Sequence, residues 1–147
     1  MAQVYLDYNA TAPIKPQVIE VMTSLLGEIG NASSIHGFGR KARRDVELAR
    51  GAVGAMVGVH PNQVIFTSGA TEANNTVIRS FSGQRVVCSA IEHPAVRELV
   101  PVEDRIPVTP DGLITIQDTL AFLEKGDKPA LVSIMYVNNE TGVIQPV

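Results

Sequence analysis

Short apolar runs alternate with stretches of helical composition along this chain, and that alternation limits the fold more than any other feature. Val64-Ile65-Phe66-Thr67, Arg85-Val86-Val87-Cys88-Ser89, Arg105-Ile106-Pro107-Val108 and Ala130-Leu131-Val132-Ser133-Ile134-Met135 read as strands, rich in the branched and apolar residues that suit a pleated, buried surface. Between them, Ala70 to about Ser80, Pro94 to Leu99 and Ile116 to Leu123 read as helices, and Asp111-Gly112 as a turn. Strands that alternate with helices pair in parallel and carry the helices on the sheet faces. The expected fold is therefore α/β, three-layer, with a largely parallel sheet and flanking helices. The run at 130–135 is the strongest candidate for a buried strand. Pro107, which cannot donate to a ladder, places 105–108 at a sheet edge.

The first part of the chain reads differently. After the apolar Val4-Tyr5-Leu6, the segment Asp7-Tyr8-Asn9-Ala10-Thr11-Ala12-Pro13 has the composition of an ordered loop. From Pro16, Val18, Val21, Met22, Leu25, Leu26 and Ile29 recur at helical spacing, with Gly30-Asn31 as the expected stop. A second helix is expected after Asn31-Ala32-Ser33-Ser34, capped by a serine and running to about Met56, with Gly58 and Pro61 marking its end. The division expected is a loop-and-helix segment over 1–30, then a layered domain over 31–147.

Function should lie where the strands end, because ligands of open α/β sheets gather beyond the carboxyl ends of the strands. Polar motifs stand at those places: Ser68-Gly69-Ala70-Thr71-Glu72, Glu92-His93-Pro94 and Asn138-Asn139-Glu140. A helix starting near Ala70 would aim free amides and a positive dipole end at one point, which suits a phosphate, and Thr71 would add a hydroxyl. Glu72 would have to point away from a bound anion. The same pattern also fits an ordinary strand-to-helix turn, and no Gly-Lys-Ser or Gly-Lys-Thr follows as a nucleotide P-loop would require. Pro94 holds His93 in extended backbone, where its ring could stack on an aromatic cofactor and exchange a proton; a hydrogen-bonded surface or core histidine is the plainer reading. Asn139 could donate to a phenolate-like oxygen or serve only its own turn.

Composition removes several other functions. A formal charge of -3 and a pI near 5.6 oppose general affinity for nucleic acid. The cluster Arg40-Lys41, Arg43-Arg44 is followed by Asp45 and Glu47 and reads as a solvated helix face, with a partner-binding patch as the other option. No apolar stretch approaches the ~20 residues needed to cross a bilayer, and residues 1–7 lack the basic and apolar regions of a leader, so a cytoplasmic protein is expected. Cys88 is a lone cysteine in an apolar strand, which points to a small buried hydrophobe with no disulfide and no metal site.

Taken together, Tyr5 to Pro13, Asn31-Ala32-Ser33-Ser34-Ile35-His36, Phe66 to Asn75, Glu92-His93-Pro94-Ala95-Val96 and Met135 to Gly142 resemble, in order, the amino-terminal part of the cysteine desulfurases of the NifS and IscS kind. These belong to the class V aminotransferase group and use pyridoxal phosphate on the fold-type I scaffold. The resemblance implies that 31–147 is the first part of the cofactor-binding large domain. It also implies an activity that converts L-cysteine to L-alanine and leaves sulfur as an enzyme persulfide, for iron-sulfur cluster assembly or thiolation. By matching position, Ala70 and Thr71 would hold the cofactor phosphate. His93 would stack on the ring and assist proton transfer, and Asn139 would bond the phenolic oxygen. Asn9, Ala10 and Thr11 would lie in a loop near the active site.

The family also carries, further along, an aspartate on the ring nitrogen, a Ser-X-His-Lys motif with the cofactor-binding lysine, and a loop with the persulfide cysteine. The lysines here are Lys15, Lys41, Lys125 and Lys128, none in that context, and Cys88 lies outside any matching motif. These 147 residues alone are therefore expected to be inactive as a desulfurase. A sheet with an unpaired edge is further expected to be marginal alone, and to form a homodimer or pair with a longer homologue; a sulfur-acceptor protein is a further implied partner. Two alternatives stand beside this reading: a non-catalytic pyridoxal-phosphate or partner-binding module, and a fragment of an aminotransferase or selenocysteine lyase.

Overall fold

A computed structural model describes residues 3–147, which form two compact units that meet in sequence between Phe66 and Thr67. In the first unit, α1 spans Pro16–Leu26 and α2 spans Gly37–Val57. Pro16 sits at the first position of α1, where its missing N–H costs nothing. The helix ends at Gly27, short of the expected stop at Gly30. Gly30 answers to packing instead: a β-carbon there would lie 2.5 Å from the Phe38 carbonyl oxygen.

The cap of α2 also differs from expectation. His36, rather than a serine, accepts from the Gly39 amide through Nδ1 at 3.3 Å. Ser34 is half-buried in the turn before it, donating its N–H to the Asn31 carbonyl. Gly58, with φ 72°, ends the helix in the left-handed conformation that favours glycine. Arg43 and Arg44 are exposed on α2, and Lys41 pairs with Glu28 at 3.0 Å and Asp45 at 3.6 Å.

The second unit carries the layered fold. It contains α3 (Ala70–Ser80), β1 (Val86–Ser89), α4 (Pro94–Arg97), β2 (Arg105–Ile106), α5 (Ile116–Leu123) and β3 (Leu131–Ser133). The sheet has the order β2-β1-β3, and β1 pairs in parallel with both neighbours, Cys88 facing Arg105 on one side and Ser133 on the other. Side chains of β1 alternate between faces. Val86 and Cys88 pack with Ile78 of α3 and with Val96 and Val100, while Val87 packs with Ile106, Ile114 and residues of α5. Helices on both faces of a parallel sheet are the three layers expected from the alternation.

Burial is distributed differently from the expectation. Central β1 is buried throughout, whereas β3, the strongest buried candidate in sequence, is an edge strand with Val132 39% exposed. Val64 to Thr67 is no strand: Val64 is extended, but the segment has no ladder partner among the described residues, and Ile65 is 82% exposed. A β-branched run needs a neighbouring strand to become one. β2 stops at Ile106 because Pro107 follows.

Candidate functional site

The turn after β1 carries His93. Its backbone is extended, with φ -57° and ψ 145°, as Pro94 requires. His93 caps α4: Nδ1 accepts from the Ala95 amide at 3.0 Å. With Nδ1 committed as an acceptor, Nε2 is the nitrogen left to carry and exchange a proton. Neighbouring Glu92 is only 5% exposed, and its Oε1 accepts from the Met135 amide and from the Ser89 hydroxyl. Burial raises the Glu92 carboxyl above the ordinary carboxylate value, partly opposed by hydrogen bonds from the Met135 N–H and the Ser89 hydroxyl.

After β3 the chain forms a small hairpin, with Val137 bridged to Ile144 and Gly142, at φ 73°, in its turn. Asn138 is 9% exposed and bonded at both ends of its amide: Oδ1 accepts from the Glu140 and Thr141 amides, and Nδ2 donates to the Ile91 carbonyl at 3.1 Å. Asn139 is exposed beside it. His93 and Asn139 thus line one cleft of about 320 Å³, together with Ile91, Arg97, Asn138 and Thr141.

Ala70 and Thr71 do not line that cleft; they open α3, which is packed against α4. Gly69, the residue before the helix, supplies no side-chain cap, so the first-turn amides are available to an outside acceptor. Glu72 turns back: its Oε2 accepts from the Ser68 amide at 2.7 Å and the Ser68 hydroxyl at 2.6 Å, which lowers its carboxyl below the ordinary value. The negative charge expected to trouble an anion is thus held by Ser68. Asn75 connects α3 to the His93 turn, donating to the Thr71 carbonyl at 2.8 Å and the Ala95 carbonyl at 3.2 Å.

These donors fit a phosphorylated aromatic cofactor: uncapped amides for the phosphate, and a cleft with an imidazole and a carboxamide for the ring. Cys88 has no place in the site. It is fully buried, and burial pushes its thiol up to about 11, so it behaves as a core residue. Among the described residues no group of His, Cys, Asp or Glu could hold a metal ion, and no helix is long and apolar enough to cross a membrane. Glu92, Asn138 and Asn75 are the residues that sequence reasoning left without a role. The available signal was a polar side chain directly after an apolar strand or inside a helix face.

The chain matches the family described as aminotransferase class-V over residues 4–147. An IscS-like cysteine desulfurase of Mycobacterium tuberculosis is 38% identical over 97% of this chain and 41% of its own length. The cysteine desulfurase IscS of Aeromonas hydrophila is 40% identical over 97% of this chain and 39% of its own. The solved structure of a NifS-like protein from Rickettsia africae gives a TM-score of 0.84 at 32% identity, covering 98% of this chain and 42% of that one. The chain spans about two fifths of the length of the relatives it matches.

Proposed function

Since the chain belongs to the aminotransferase class-V family, we propose that it is the amino-terminal part of a pyridoxal-phosphate-dependent cysteine desulfurase. The observation that carries this reading is identity of 38% to such an enzyme over 97% of the chain. On this reading residues 1–30 precede a large cofactor-binding domain that begins at 31. The polypeptide acts on L-cysteine in the cytoplasm as a homodimer and passes sulfur to an acceptor protein.

Pyridoxal phosphate, when bound, supplies an electron sink for breaking bonds at the α-carbon of an amino acid. The chain's own residues bind and orient. The amides of Ala70 and Thr71 and the Thr71 hydroxyl would hold the phosphate dianion at the positive end of α3. The His93 ring, fixed by its Nδ1 bond to Ala95, would hold the cofactor ring and would carry a proton at Nε2. The Asn139 carboxamide would donate to the phenolic oxygen of the ring.

The test is to capture the polypeptide from its own cells with an antibody to this region, measure its intact mass, and incubate it with L-cysteine, pyridoxal phosphate and a thiol. L-Alanine and sulfide in equal amounts are expected from a polypeptide well above 15.7 kDa. No alanine from such a polypeptide would overturn the reading.

A further inference from the structure

Asn138 does more than a turn asparagine needs to do. Its Oδ1 shapes the turn locally, accepting from the Glu140 amide at 3.0 Å, the Thr141 amide at 2.9 Å and the Thr141 hydroxyl at 3.1 Å. That half is ordinary Asx-turn chemistry. The other half of the amide reaches across 47 positions of sequence, where Nδ2 donates to the Ile91 carbonyl at 3.1 Å and approaches Met135 Sδ at 3.4 Å. Ile91 lies in the turn that carries His93, and Asn139 is the residue next to Asn138. A second bond runs the same way, from the Met135 amide to the Glu92 carboxylate. One buried carboxamide therefore fixes the shape of the Asn139 turn and fastens that turn to the His93 turn.

We propose that Asn138 is a positioning residue that sets the spacing between His93 and Asn139 across the cleft: it borders the cleft itself, but both ends of its amide are committed to the two turns, and it acts through them. The assignment rests on the reading that this cleft takes the pyridoxal-phosphate ring. The physical reason is preorganisation. The two groups that meet the ring stand on loops, and a loop holds a group to within a fraction of an ångström only if buried polar bonds support it. Gln145 gives the contrast. It is 2% exposed and also fastens distant backbone, accepting from the Ile114 amide and donating to the Gly112 carbonyl, both at 2.8 Å, but it does not line the cleft.

The experiment compares Asn138→Ala with Gln145→Ala in the polypeptide as its own cell makes it. Pyridoxal phosphate affinity is read by titration and ring orientation by the induced circular dichroism of the bound cofactor. Both variants lose a buried amide and should lose thermal stability. Asn138→Ala should in addition bind about tenfold more weakly or worse, as expected when a supporting residue behind a binding group is removed, with a diminished dichroic band; Gln145→Ala should bind as wild type does. Equal affinity in the two variants would overturn the positioning role and leave the functional reading intact, whereas wild-type protein that does not bind pyridoxal phosphate would overturn both. Should Asn138→Ala fail to fold, amide exchange on cofactor-free wild-type protein decides: the Glu140 and Thr141 amides should exchange about tenfold or more slower than in an unstructured peptide. Unslowed exchange at both would overturn the proposal.

Discussion

The carboxylate of Glu92 accepts a hydrogen bond from the backbone amide of Met135, 43 positions further along the chain. The bond joins the turn after the central strand to the segment after its neighbour, and Glu92 itself borders the cleft. It places an acidic group where water is largely excluded, and so makes stability depend on pH.

Burial raises the Glu92 carboxyl above its ordinary 4.5, so the folded protein holds that proton more tightly than the unfolded chain does. Stability from this group is therefore complete below 4.5 and is lost as pH rises through the raised value. Glu92→Gln keeps an acceptor for the Met135 amide and removes the charge. Thermal unfolding measured in steps upward from pH 4.5 should show this fall in wild-type protein and not in the variant. An identical pH profile for the two proteins would show that Glu92 titrates normally.

His93 has two separable jobs. Its Nδ1 caps α4 through the Ala95 amide, and its ring lines the cleft. His93→Ala should cost about 1 kcal/mol, the usual worth of an N-cap. His93→Asn, which restores a capping oxygen, should recover most of that stability while leaving cofactor binding as weak as in the alanine variant. Recovery of binding in His93→Asn would assign the histidine to capping alone.

Thr71 is tested with a pair of ligands. Pyridoxal phosphate and pyridoxal differ only in the phosphate, so Thr71→Val should weaken the first by about 1 kcal/mol, the typical net worth of a hydrogen bond, and leave the second unchanged. Equal weakening of both, measured by fluorescence titration, would move the phosphate away from the start of α3.

Cys88 lies in the middle of the sheet, fully buried, with its thiol pushed up to about 11. The thiolate is the reactive form, so at pH 8 Cys88 should resist a thiol reagent such as Ellman's for as long as the protein stays folded and react at once in denaturant. Rapid reaction of the native protein would contradict its place in the core.

Much of this was readable from the residues. The bounds of α3 and α5 coincide with their composition, and Gly58 and Pro107 end their elements as their backbone chemistry demands. His93 and Asn139 were placed at strand ends by the same alternation that gave the layers, and they share a cleft. What escaped depends on partners far away in sequence. The 130–135 run looks like a core strand, yet burial falls to whichever strand lies in the middle of the sheet, and that is β1. Val64 to Thr67 has strand composition and no strand beside it. Asn138 and Glu92 look like turn polar residues until their bonds to Ile91 and Met135 are seen. Gly30 reads as a helix stop, whereas its role is to let Phe38 approach.

The most direct test of a cofactor site built from α3, His93 and Asn139 is a titration of the polypeptide with pyridoxal phosphate, followed by induced circular dichroism in the cofactor's visible band. Saturable binding with a dichroic band is the expected result, much weaker for pyridoxal without its phosphate and diminished in His93→Asn. Binding without induced dichroism, or binding that is indifferent to the phosphate and to His93, would contradict the site.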